Sequence, residues 1–306
     1  MCNLILKRNI RKGLNKVILM NDEREFSEIL PLNTTRKTYD YISDCSPFHE
    51  LDIQYNNEVN KDSPVIIDIH GGAWMMGDKD LNRNFAYHLA EYNYKVVTFG
   101  YRPCNTKGVY LKEQVQDVFK VFEYLYQNQK ELELNLKDLY IAGDSSGAML
   151  VLLTLAINQN EELSKIYGVK HVDLNFKAVE LNHPAPFPTG IPGEKIANFK
   201  AKTLNRFLAN ILAHNSHTLV AKNMSFESYV DKVQYPPLYI VSSLGDFGLI
   251  PQTYKLVEIL KEKGINYTLN IVQDKSLPHV FNVNFPNTKE AIKVNKSIID
   301  FFEKNN

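Results

Sequence analysis

A serine hydroxyl attacks a carbonyl only when a base takes its proton, a carboxylate steadies that base, and fixed donors receive the charge that develops on the substrate oxygen. The sequence offers residues for each of these parts. Ser145 is central in Gly143-Asp144-Ser145-Ser146-Gly147, a Gly-x-Ser-x-Gly pattern. It lies between the strand-like Leu139-Tyr140-Ile141-Ala142 and the almost wholly apolar stretch from Ala148 to Ile157. At the apex of a sharp strand-to-helix turn the backbone is strained and flanking side chains would collide, which accounts for both glycines. The turn also sets the Ser146 N–H at a helix N-terminus, where an unpaired donor and the helix dipole favour negative charge. The pattern alone also fits a plain glycine-flanked turn; the strand before it and the helix after it favour the chemical reading. Ser146 is the rival nucleophile, but Ser145 holds the central position.

Upstream, Val65-Ile66-Ile67-Asp68-Ile69 reads as a buried strand that runs into His70-Gly71-Gly72-Ala73-Trp74. Consecutive glycines let backbone N–H groups turn toward one point, and preorganised donors there are worth about 3 kcal/mol each to an oxyanion. Gly71, Gly72 and the Ser146 N–H are therefore the candidate oxyanion donors. His70 reads as a structural residue that holds the loop. Trp74, the only tryptophan, fits either the core or a pocket wall. Tyr101, after a second β-branched run at Lys95 to Phe99, fits either a substrate contact or ordinary packing.

His-Gly-Gly-Ala-Trp upstream of Gly-Asp-Ser-Ser-Gly resembles the α/β-hydrolase esterases and lipases of the hormone-sensitive-lipase-like branch and the related small bacterial carboxylesterases. The resemblance covers roughly residues 60 to 304. Ala73 stands where many members carry a third glycine, and Ser146 where alanine is more frequent; both are small and contribute a backbone N–H. The His-Gly-Gly-x-Trp form is also similar to kynurenine formamidases, which leaves ester against amide open.

In this fold the order along the chain is serine, acid, histidine. Of eight histidines, His171, His183, His214, His217 and His279 follow Ser145. His279 lies after the last strand and before the final helix, where the fold brings a loop over the sheet. His171 and His183 come too early. His214 and His217 fall in a probable-lid region and read as solvated. Asp246 ends the run Val241-Ser242-Ser243-Leu244-Gly245 in a turn before a helix and is the expected acid. Asp274, nearer His279 in sequence, reads as an exposed turn residue.

Around these residues the elements alternate. Leu111, Val115, Val118, Phe119, Phe122 and Leu125 form the stripe of an amphipathic helix. Phe176–Leu181, Leu238–Ser242 and Tyr267–Val272 are strand-like, and Leu51 to Tyr55 alternates as a strand does. Tyr254 to Lys263 is helical, with Gly264 at the left-handed cap position. A closing helix is expected from Asn287, with Glu290 completing a capping box, burying Ala291, Val294, Ile298 and Phe302. Strands alternating with helices predict a mostly parallel sheet with helices on both faces, an α/β class and the α/β-hydrolase fold in particular. Residues 184–235 interrupt the rhythm with a Pro- and Gly-rich start and a helix near Lys202 to Ala213. They are expected to be a lid inserted in a single domain, its apolar residues (Phe187, Phe199, Phe207, Leu208, Leu212) serving substrate or the lid's own core.

Composition narrows the partners. Across 306 residues, apolar residues are 44% and charged residues 23%, which argues against disorder. Lys plus Arg and Asp plus Glu are 35 each, a balance that lends no support to nucleic acid or an anionic membrane as partner. Cys2, Cys45 and Cys104 are too few and too scattered for a disulfide framework or a metal site. The N-terminal apolar residues are soon interrupted by Lys7, Arg8, Arg11 and Lys12, and no uncharged stretch is long enough to span a bilayer. The expectation is a cytoplasmic protein acting on a small-molecule ester with no metal or organic cofactor, homodimerisation being left open. A non-catalytic small-molecule binder of the same fold is the remaining alternative, and the whole triad speaks against it.

Overall fold

The β-branched runs become the middle of one sheet. The computed structural model describes residues 33–194, 199–215 and 217–306; Cys2 and the N-terminal apolar and basic residues lie outside them. The strands are β1 (Thr34–Asp40), β2 (Glu50–Asn56), β3 (Val65–Ile69), β4 (Lys95–Phe99), β5 (Leu139–Asp144), β6 (Phe176–Asn182), β7 (Leu238–Ser243) and β8 (Tyr267–Val272). They form one eight-stranded sheet in the order β1-β2-β4-β3-β5-β6-β7-β8. β2 runs antiparallel to both neighbours, and every other pairing is parallel. The expected mostly parallel α/β-hydrolase sheet is borne out.

Successive side chains of a strand face opposite sides, so Ile66 and Ile67 enter different cores. Ile67, Val97, Ile141, Val179 and Ile240 pack against α2 (Leu111–Asn128), α3 (Ser146–Gln159) and α4 (Glu161–Tyr167). Ile66, Val96, Tyr140, Ala178 and Val241 pack on the other face against α1 (Arg83–Ala90) and the closing helix Lys289–Lys304. α3 is buried on nearly every side, as its unbroken apolar sequence requires.

Between β6 and β7 lie α5 (Phe199–Ala213), the short α6 (Leu219–Lys222) and two single-turn 3₁₀ segments. Phe187 and Leu212 join the main core, with Leu208 packed against it; the Phe199 side chain lies outside the described residues. α7 (Ile250–Glu262) follows β7 and ends at Gly264, which is left-handed (φ 66°) as expected. After β8 come α8 (Phe281–Asn284) and α9, the closing helix Lys289–Lys304. α9 buries the four expected apolar residues. Its cap differs: Thr288, not Asn287, is the cap residue, and no side chain caps the helix, so the box with Glu290 does not form.

β2 also departs from simple alternation. Asp52 and Gln54 are as buried as Leu51 and Ile53, because β2 lies inside the sheet and its second face is covered too. Asp52 is held there by Arg36 Nε (2.7 Å) and the Thr38 hydroxyl (2.6 Å), and Gln54 donates to Thr98 Oγ1 (3.0 Å). No helix among the described residues is long and apolar enough to cross a membrane.

Candidate active site

Ser145 sits at the β5–α3 turn with φ 54° and ψ −118°, a left-handed conformation that costs a non-glycine residue roughly 1–3 kcal/mol. The surroundings hold it there. Its N–H donates to the Asn182 carbonyl at the end of β6 (2.8 Å), and its own carbonyl accepts from Ala185 N (3.1 Å). Gly147 is required because a Cβ there would strike the Ile69 carbonyl of β3. The first turn of α3 thus rests directly on the neighbouring strand, and the Ser145 side chain projects beyond the strand ends.

His279 arrives from the segment between β8 and α8, and Asp246 from the turn after β7. His279 Nε2 lies 2.9 Å from Ser145 Oγ, and His279 Nδ1 lies 2.8 Å from Asp246 Oδ2. The two loops are stitched to each other. Ser243 Oγ donates to the Leu277 carbonyl (2.9 Å), Leu244 N to the Val272 carbonyl (3.0 Å), and a Cβ on Gly245 would strike Leu277 O. Burial by itself would raise the Asp246 carboxyl. The hydrogen bond and charge of His279, with help from the Leu249 N–H, outweigh it and bring the group below its ordinary value. Asp246 therefore stays ionised, as a residue that steadies an imidazolium must.

The upstream loop gives a more specific result. Gly72, Ala73 and Trp74 are three successive left-handed residues (φ 117°, 52° and 62°). Within the described residues the N–H groups of Gly72, Ala73 and Ser146 have no hydrogen-bond partner. Gly71 is a correction: its N–H donates to Asp144 Oδ1 at 2.7 Å, so it fastens the loop to the serine turn and is not an available oxyanion donor. Ala73 takes its place among the free donors. The sequence signal for that was its position as the third small residue after His70.

Trp74 packs into the main core at 5% exposure, and Tyr101 is only 1% exposed. Tyr101 donates its hydroxyl to the His70 carbonyl (2.7 Å) and stacks flat on the His70 ring at 4.2 Å. Of the two readings open for each, burial supports packing and not the tentative substrate contact, since neither side chain faces outward. His70 is structural as expected, with Nδ1 2.6 Å from the Gly71 carbonyl.

His183, set aside as too early in the chain, does come close. It is wholly buried, with its ring edge-on to His279 (5.6 Å between centroids, 89° between planes). Nδ1 lies 2.6 Å from Asn182 Oδ1 and Nε2 3.3 Å from Ser243 Oγ. Burial, then the neighbouring His279, push its pKa down to about 3, so it stands as a neutral wall beside the His279 ring. Sequence position could not reveal this, because β6 ends next to the His279 loop only in the folded sheet. His171 is exposed, with Nδ1 2.8 Å from the Asn158 carbonyl, and His214 is exposed against the Tyr110 hydroxyl (3.1 Å). Asp274 caps its own exposed turn through Ser276. Burial pushes the Cys104 thiol up to about 12, which leaves it inert. Among the described residues no group of His, Cys, Asp and Glu could hold a metal ion.

The family model BD-FAE matches residues 51–256, a span that includes the His70–Trp74 loop, Ser145 and Asp246. The chain belongs to the BD-FAE family. Its α/β-hydrolase architecture is shared by esterase B from Lactobacillus rhamnosis, which is 26% identical with a TM-score of 0.90, over 100% of this chain and 96% of that one. A C6-C4 SN3-inhibited form of the same esterase matches equally well, at 26% identity and a TM-score of 0.90 over 98% and 96% of the two chains. A fungal esterase from Rhizomucor miehei shares the fold at 19% identity and a TM-score of 0.71, over 98% of this chain and 90% of that one. The BD-FAE match stops short of His279, so the histidine rests on the geometry above and not on the family model.

Proposed function

We propose that this chain is a serine esterase that cleaves small carboxylic esters through an acyl-enzyme. The observation that carries the reading is the hydrogen-bonded series Ser145 Oγ, His279 Nε2, His279 Nδ1, Asp246 Oδ2, with spacings of 2.9 and 2.8 Å. Ser145 attacks the ester carbonyl as His279 takes its proton; His279 then passes that proton to the leaving alcohol. Water, activated by the same imidazole, releases the acid and restores Ser145. Asp246 holds the tautomer and offsets the charge on His279. The N–H groups of Gly72, Ala73 and Ser146 receive the oxyanion, each worth about 3 kcal/mol to the transition state. Residues 184–235, inserted between β6 and β7, act as the lid that shapes the acyl and alcohol pockets.

Support for ester substrates comes from esterase B, one form of which is described as inhibited by a C4-C4 SN3 tributyrin phosphonate. Its butyryl chains favour a preference for short acyl chains in this protein as well. A panel of p-nitrophenyl esters from acetate to decanoate, run beside N-formylkynurenine and aminoacyl amides, tests the assignment. Acetate and butyrate should turn over fastest. Turnover confined to long-chain emulsions, or to the amides, would overturn it.

A further inference from the structure

Ser146 brings a hydroxyl to a position where its backbone N–H alone would serve the oxyanion. The hydroxyl is buried, and Ser146 Oγ accepts from Trp74 N at 3.3 Å. The buried Tyr101 hydroxyl donates to the His70 carbonyl (2.7 Å). These two side-chain hydroxyls hold the two ends of the loop His70-Gly71-Gly72-Ala73-Trp74.

We infer that Ser146 is a positioning residue whose hydroxyl, with Tyr101, clasps this loop shut and so fixes the direction of the Gly72 and Ala73 N–H groups. The inference rests on the esterase reading and deepens it. The loop needs such a device. Ala73 and Trp74 are non-glycine residues in the left-handed region, and each relaxes toward ordinary backbone unless something holds it. The following peptide is already fixed, the Trp74 carbonyl accepting from Cys104 N (2.8 Å) and Gln114 Nε2 (2.9 Å). The Ser146 hydroxyl holds the preceding one. Trp74, Ser146, Tyr101 and His70 are all at most 5% exposed, so no water stands ready to replace a lost partner. Removing the hydroxyl leaves the Trp74 N–H buried and unpaired. The peptide then rotates, and the Ala73 N–H next to it turns with it.

The test uses Ser146→Ala, which keeps the oxyanion N–H and deletes only the clasp, together with Tyr101→Phe and the double variant. For p-nitrophenyl butyrate, kcat should fall about tenfold to a hundredfold in S146A, with KM within about twofold, since the clasp acts on the transition state. Affinity for an aliphatic trifluoromethyl ketone, whose adduct carries the oxyanion, should fall in parallel. Y101F should lose kcat in the same direction, and the double variant should lose far less than the product of the two single effects. Unchanged kcat and ketone affinity in S146A would overturn the inference. So would a loss borne by KM alone, or single effects that multiply in full. Should S146A fail to fold, Y101F alone still decides through its kcat and ketone affinity. A wild-type protein that hydrolyses no ester and binds no ketone would instead overturn the esterase reading itself.

Discussion

His183 lies edge-on to His279 but stays neutral, because burial holds its pKa near 3. That depression has a consequence for stability. Below the ordinary value of 6.5 the unfolded chain binds a proton at His183 that the folded chain refuses until about pH 3. The contribution of this residue is therefore present above pH 6.5 and is lost as pH falls toward 3. His183→Gln keeps a donor and an acceptor for Asn182 and Ser243 and removes the titration. In urea unfolding followed from pH 7 to pH 4, the wild type should lose stability faster than the variant. Parallel curves would mean that His183 takes up its proton without unfolding. The Gly71 correction has the same local character: two adjacent glycines look alike in sequence, and only the Asp144 carboxylate distinguishes the N–H that fastens the loop from the N–H that stays free.

The segment after β4 carries Tyr101 and is held to α2 by the Arg102–Asp117 ion pair, with Gln114 Nε2 donating to the Arg102 carbonyl (3.0 Å). Asp117, 1% exposed, accepts from Arg102 Nε (2.8 Å), from the guanidinium terminus (2.6 Å) and from the Arg102 backbone N–H (2.9 Å). Arg102→Ala would strand a buried carboxylate, and the midpoint of urea unfolding should drop by the equivalent of about 3 kcal/mol. A change under half of that would show the pair to be dispensable. Most of the elements were legible in the sequence for plain reasons. β3 and β4 are β-branched runs, β5 to β8 are short apolar-rich runs of strand length, and α2 and α3 declare themselves by an apolar stripe and an apolar block. What stayed hidden lacked such a pattern. β1 is Thr-Thr-Arg-Lys-Thr-Tyr-Asp; it is an edge strand whose order comes from pairing with β2 and from Arg36 and Thr38 reaching Asp52, none of which leaves a period in the sequence. α1 was missed because Asn82 gives no side-chain cap and its buried face shows only against β4 and the closing helix. α4 was missed for brevity, although Asn160 caps it and Gly168 ends it in the expected way.

The sheet as a whole concentrates acids beneath the serine turn. Asp68 on β3 and Glu180 on β6 lie in register on either side of Ala142 of β5, and Asp144 follows at the end of the same central strand. Burial, reinforced by the neighbouring acids, holds both the Asp68 and Glu180 carboxyls well above the usual range, so they are protonated where an unfolded carboxyl would be ionised. For a group raised on folding, stability is fullest below the unfolded value and declines as pH rises through the folded one. Glu180→Gln should therefore gain on the wild type as pH climbs from 4.5 to 8, a divergence that differential scanning calorimetry can follow; a constant offset would contradict it. The polar layer of acids and asparagines was invisible in the sequence because its members come from separate strands. The proposed reacting centre has the same origin. Ser145, Asp246 and His279 are brought together by strand order β5-β6-β7-β8, and nothing nearer in the chain could replace that convergence. Intact-mass and peptide mapping after treatment with a fluorophosphonate measures it most directly. One adduct on the native protein, confined to Ser145 and lost in Ser145→Ala, is the result this account requires. No adduct on native protein, or equal labelling of the alanine variant, would contradict it.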